Sequence, residues 1–270
     1  MTLIQSLREH WPEYLIEAWG LGTFMILAGL IVSVLHAPCS PGVLLIETPI
    51  LRQALTGLLI GLTAIALIYS PWGQRSGAHM NPAVTLTFLR LGKIAPWDAL
   101  FFIVAQVLGG LLGVFVITKL MGPSFSEPPV RYIATVPGAA GATVAFLAEV
   151  VISCGLMATV LAVSNIPDTA RLTGICAGVL VATYIFFETP LSGMSMNPAR
   201  SLATALIGNI WTQFWIYCTA PLLGMLSAAE LYCRWLGGKK FSAPRWITQP
   251  MSNVFIADIV GVAQPIVQPV

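Results

Sequence analysis

Two near-copies of one decapeptide interrupt an otherwise apolar chain. Ser76-Gly-Ala-His-Met-Asn-Pro-Ala-Val-Thr85 and Ser192-Gly-Met-Ser-Met-Asn-Pro-Ala-Arg-Ser201 share six of ten positions, with Asn81 and Asn197 standing 116 residues apart. Only 9% of the 270 residues are charged and 57% are hydrophobic, whereas a soluble domain carries roughly 25% charged residues. The surroundings are therefore those of a polytopic membrane protein. In a bilayer every backbone polar group must be paired internally, so irregular chain at that depth is confined to protein interior or a wet cavity. Matched interruptions in two halves point to a site where the halves meet.

Spanning a bilayer takes roughly 20 apolar residues as helix. Six stretches meet or approach that length: 14–36, 51–70, 98–120, 141–163, 172–187 and 211–235. The fifth is expected to stop at Glu188-Thr-Pro190, because proline breaks helices. Two shorter pieces, 81–91 and 197–208, follow the Asn-Pro-Ala triplets. Each is about 17–18 Å long, half a bilayer. Asn81 and Asn197 are good N-caps, and Pro82 and Pro198 suit the first helical position. The expected fold is all-α: six transmembrane helices plus two re-entrant half-helices, in repeats 14–120 and 141–236. An odd number of spans per repeat inverts the second against the first. Residues 1–13 and 237–270 are expected to lie outside the membrane domain, the latter as a tail containing Trp246 and a weakly apolar stretch near Val254–Val262. The apolar run after Tyr14 has no small-residue cleavage site behind it, so it is read as a span rather than a leader.

Basic residues orient the chain. With the N-terminus inside, Arg8, Arg75, Arg90, Lys93, Arg171, Arg234, Lys239, Lys240 and Arg245 are cytoplasmic, and only Arg52, Lys119 and Arg131 are outside. That bias obeys the positive-inside rule and puts both ends in the cytoplasm. A net charge of +2 gives no footprint for nucleic acid. Three scattered histidines and five cysteines without ligand spacing suggest no metal and no cofactor. Four cysteines lie in apolar stretches and read as small buried side chains. Small-residue pairs Gly57/Gly61, Gly109/Gly113 and Gly174/Gly178 suit close helix packing.

The charges within the membrane define the chemistry. Half-helices starting at one depth from opposite faces aim two positive dipole ends at one spot. With side-chain oxygens capping their helices, Asn81 and Asn197 are expected to leave their amide donors free for a passing oxygen. Cations and hydronium are opposed there while neutral hydrogen-bonding solutes pass. Arg200, three residues into the second half-helix, is expected to face the same wet path. Glu17 and Glu149 read as acceptors for unpaired N–H groups of the loops before the Asn-Pro-Ala turns. His79 is placed at the inner vestibule. Glu230 and Arg234 are spaced as an i,i+4 pair.

Together these residues resemble the aquaporin and glycerol-facilitator family, the major intrinsic proteins. The resemblance covers about 14–236. It rests on the two signatures containing Asn81, Pro82, Ala83 and Asn197, Pro198, Ala199, with Glu17, Gln106, Glu149 and Pro221 in the family's pattern. It implies a pore in each subunit, a homotetramer, and location in the plasma membrane. Ser201, Ala205 and Tyr217 look like the water-channel subgroup, although Cys218 replaces its usual tryptophan. The family's narrow filter falls on Arg200, Met194, Ile185, and either Ile60 or Gly61. Ile185 stands where water-selective members place histidine, and no aromatic accompanies it. The implied activity is water conduction with leakage of glycerol, urea or ammonia. A coupled transporter and a facilitator mainly for small uncharged solutes are the alternatives. No nucleophile–base pair or phosphate loop supports an enzyme.

Overall fold

The computed structural model describes residues 2–235; the 237–270 tail lies outside the described residues. Eleven α-helices follow one another: α1 (Leu3–His36), α2 (Pro41–Leu45), α3 (Pro49–Tyr69), α4 (Pro71–Ser76), α5 (Pro82–Arg90), α6 (Pro96–Met121), α7 (Pro123–Ser126), α8 (Gly141–Ser164), α9 (Thr173–Ser192), α10 (Pro198–Gly208) and α11 (Phe214–Trp235). Six are long and apolar enough to cross a membrane, and no strand occurs among the described residues. The half-helices are α5 and α10, nine and eleven residues long.

Packing follows the internal repeat. Within each half the first and third spans pair, α1 on α6 and α8 on α11, while the second spans α3 and α9 pair across the halves. Each half-helix rests on the third span of the other half, α5 on α11 and α10 on α6. Glycines set these approaches. A Cβ on Gly109 or Gly113 would collide with the carbonyls of Ala18 or Gly22, and one on Gly57 or Gly61 with those of Ala182 or Gly178. Gly178 meets Gly61 and Ile65, whereas Gly174 meets Ile68 and Tyr69. Overfilling a packed contact costs about 1–3 kcal/mol or more, so Gly109→Leu is expected to cut the yield of monodisperse protein on size exclusion. The neighbouring Leu108→Phe, at a position 60% exposed, is the control expected to leave it unchanged.

Three expectations need correction, and one helix is longer than the span it carries: α1 begins at Leu3, so residues 3–13 extend the first helix. Thr2 and Gln5 form a capping box, and a 34-residue helix carries the lost bond at Pro12. Helix α9 runs through Pro190 to Ser192 and stops at Gly193, whose φ is 81°. The N–H that Pro190 lacks would have served the Phe186 carbonyl, and one such loss near the end of a helix is tolerated. Glu230 pairs not with Arg234 but with Arg90, at 2.7 Å, joining the ends of α5 and α11. Both side chains are well exposed, so the pair is worth at most about 1 kcal/mol. Finally, Cys154, Cys176, Cys218 and Cys233 are half-buried rather than buried, because they sit on spans that are each only partly covered by protein.

Candidate functional site

The half-helix starts are clasped to each other. Asn81 Oδ1 caps α5 by accepting from Ala83 N at 2.9 Å; Asn197 Oδ1 caps α10 by accepting from Ala199 N (3.0 Å) and Arg200 N (3.2 Å). Pro82 and Pro198 take the first helical positions. Each asparagine then donates across the interface: Asn81 Nδ2 to the Met196 carbonyl and Asn197 Nδ2 to the Met80 carbonyl, both at 2.7 Å. The amides are therefore not both wholly free. An –NH₂ group has two N–H donors, and one from each asparagine is committed to the opposite loop.

Behind each loop lies a buried carboxylate. Glu17 Oε1 accepts from Ser76 Oγ (2.7 Å) and His79 N (3.0 Å), and Oε2 from Met80 N (2.6 Å) and Gln106 Nε2 (2.8 Å). Glu149 Oε1 accepts from Ser192 Oγ (2.7 Å) and Ser195 N (2.6 Å), and Oε2 from Met196 N (2.8 Å). The loop backbone is shaped to deliver those N–H groups. Ala78 and Met80 have φ of 48° and 45°, and Met194 and Met196 have 50° and 53°. Left-handed backbone is costly for side chains with a Cβ and persists where its surroundings over-determine it. Here alternate left-handed residues turn successive N–H groups onto one carboxylate.

The repeat continues outward with different side chains. His79 Nδ1 bonds Thr85 Oγ1 at 3.1 Å and its ring stacks on Phe88, whereas Ser195 and Ser201 hydroxyls meet at 2.5 Å in the second half. Thr135 Oγ1 joins Ser201 at 2.8 Å.

A cavity of about 650 Å³ runs between the halves, lined by residues of α3 from Gln53 to Tyr69 and touched by His79, Asn81, Asn197 and Arg200. The sixteen helical steps from Gln53 to Tyr69 correspond to about 24 Å of path. Ile60, Ile185 and Met194 line it, in one apolar cluster with Met196 and Ala83. Gly61 does not: it packs on α9 at Gly178 and Ala182, so Ile60 is the lining residue of the pair. Arg200 lines the cavity half-buried, with Nη2 3.5 Å from the Ile133 carbonyl. That carbonyl belongs to a loop where Arg131, Tyr132 and Ile133 all have positive φ, of 45°, 59° and 49°.

Sequence reasoning missed several residues here. His36, Gln53 and Thr56 line the same cavity. Thr56 Oγ1 donates to the Arg52 carbonyl at 2.8 Å, so it accepts from His36 Nε2, also at 2.8 Å. Their signal was weak: polar residues near the end of a span ordinarily mark the interface. Glu188 stands where the sequence suggests a helix end, yet it is only 4% exposed.

Six apolar spans in inverted halves, with two half-helices capped against each other over one cavity, define an integral membrane protein of the double re-entrant class. The chain belongs to the major intrinsic protein family, whose model matches residues 8–232. It is similar to "Probable aquaporin NIP-type" of Nicotiana alata, 36% identical over 64% of this chain and 62% of that one. It is equally similar to "Aquaporin NIP2-2" of Zea mays, 36% identical over 67% of this chain and 59% of that one. The chain thus spans about six-tenths of the length of these relatives. In structure it resembles the aquaglyceroporin from Plasmodium falciparum with a TM-score of 0.69, covering 84% of this chain and 97% of that one. At 19% identity that likeness concerns the fold alone.

Proposed function

We propose that the chain forms a passive channel for water that also admits small neutral solutes such as glycerol, urea and ammonia and excludes protons and ions. The observation that carries this is the clasp of Asn81 and Asn197 on the wall of the cavity. Two helix N-termini bring about +0.5 charge each to that point, and the second N–H of each asparagine is left for a passing oxygen. A water held there by two donors does not readily accept a proton as well, and a cation meets an adverse field. Arg200 adds a full positive charge to the path.

Roles follow by residue. Asn81-Pro82-Ala83 and Asn197-Pro198-Ala199 are the midpoint; Arg200, Met194, Ile185 and Ile60 are the selectivity filter; His79 lines the pore. Glu17, Glu149 and Gln106 brace the loops, and with their acceptors taken by loop donors the two carboxylates offer no coupling-ion site. A secondary transporter is thereby disfavoured. The relatives named as aquaporins support a channel rather than an enzyme. Assembly as a homotetramer in the plasma membrane, with both ends cytoplasmic, belongs to the same proposal.

Stopped-flow light scattering on reconstituted liposomes tests it. Fast shrinkage under sucrose, followed under glycerol by fast re-swelling, is expected. Shrinkage without re-swelling would restrict the pore to water, and traces matching empty liposomes in both gradients would count against a channel.

A further inference from the structure

Glu188 is the least explained charge in the structure. It lies one turn before Ser192 on the same face of α9, is 4% exposed, and neither carboxylate oxygen makes a well-formed hydrogen bond, although Ser192 and the Met194 N–H lie beside it and are bonded elsewhere. A buried carboxylate left in that state is far more costly than an unpaired neutral group. The donors around it are already used. Ser192 Oγ donates to Glu149, and Tyr217 Oη donates to the Ser192 carbonyl at 2.6 Å. Glu149 itself accepts three bonds.

One cation nearby has the complementary deficiency. Arg200 Nη1 is buried without a partner, and Nη2 makes only its 3.5 Å contact with Ile133. No carboxylate forms an ion pair with Arg200 among the described residues; Glu188 and Glu149 are the acids whose charges act on it, and Ser192, one turn from Glu188, is bonded to the Glu149 carboxylate that holds the loop entering α10. The inverted repeat provides an internal control. Glu188 precedes Asn197 by nine residues and Arg200 follows it by three; around Asn81 the same positions hold Trp72, 55% exposed, and Val84. The acid and the arginine occur together in one half and are both missing from the other.

We propose that Glu188 is the counter-ion of Arg200, a positioning residue that draws Nη1 toward α9 and so sets how far the guanidinium reaches across the pore. A shift of the flexible arginine, or one bridging water, closes the remaining gap. The inference rests on Arg200 being a filter residue. Without the counter-charge, Arg200 is released into the passage, where it narrows the path for solutes larger than water.

Two readouts test this on the full chain. In liposomes, Glu188→Gln is expected to lower the glycerol-to-water permeability ratio about fivefold, with water flux kept within about twofold. Glu188→Asp, which keeps the charge, should recover most of the ratio. An unchanged ratio in Glu188→Gln overturns the positioning role. Infrared difference spectra need no solute flux. Arg200→Gln should produce the carbonyl stretch of a protonated carboxylic acid, and the Glu188→Gln/Arg200→Gln double variant should lack it. A protonated-acid band in the parent that Glu188→Gln or Glu188→Asp displaces, or no new band in Arg200→Gln, overturns the counter-ion assignment. Should Glu188→Gln not fold, Glu188→Asp and Arg200→Gln carry the infrared test. If the parent passes water but no glycerol, the proposed solute range fails while the infrared arm still decides the role of Glu188.

Discussion

Replacing Glu149 by alanine is expected to remove most of the folded protein while leaving the permeability of each surviving molecule comparatively intact. The carboxylate holds Ser192 Oγ, Ser195 N and Met196 N at 2.6–2.8 Å, and the glutamate is fully buried. Alanine leaves three donors unpaired in a low-dielectric interior. At about 1–3 kcal/mol each, the loss is at least roughly 3 kcal/mol, a large part of a typical stability of about 5–15 kcal/mol. It also releases the left-handed turns at Met194 and Met196. Size-exclusion yield and thermal midpoint, set beside permeability per reconstituted molecule, separate the two effects. Normal yield with transport abolished would make Glu149 a transport residue instead of a brace. Glu149→Gln should fall between parent and alanine, because one amide oxygen still accepts while the –NH₂ opposes a backbone donor.

The half-helices were legible because their starts are written in residues with local meaning. Asparagine followed by proline is a capped first turn, and its recurrence after 116 residues identified an inverted repeat without any contact information. Buried carboxylates opposite loops of unpaired N–H groups were legible for the same reason: backbone in a membrane must find partners. Features that depend on the chain's path were not. The donation from Asn81 to Met196 and from Asn197 to Met80 joins residues more than a hundred positions apart, and no spacing announces it. Glu188 was hidden by Pro190, since proline near the end of a span reads as a stop signal. The carbonyl of Ile133 reaches Arg200 only because three successive non-glycine residues adopt positive φ, a conformation that sequence does not favour. Thr2 and Gln5, by contrast, spell out a Thr-x-x-Gln capping box that marks a helix start well ahead of the apolar run.

Ile185→His is expected to give the largest change in selectivity. Ile185 is 7% exposed and lines the cavity beside Ile60 and Met194, so the three proposed filter positions present aliphatic or thioether surface. Their lack of donors favours entry of a carbon backbone with its hydroxyls turned toward Arg200. An imidazole adds bulk and a polar edge, which water can use and glycerol cannot fit as readily. Discrimination by pocket shape alone commonly reaches about 10–200-fold. The lower end is expected here, about a tenfold fall in glycerol flux with water flux changed by no more than about threefold. The Gln53 bond goes to the backbone carbonyl of residue 185, so the substitution leaves the α3–α9 tie in place and a loss of folding does not follow from it. The decisive quantity is the glycerol-to-water ratio from paired stopped-flow gradients on one liposome preparation. An unchanged ratio in a well-folded variant would move the constriction away from Ile185, toward His36, Gln53 and Thr56, which line the same cavity.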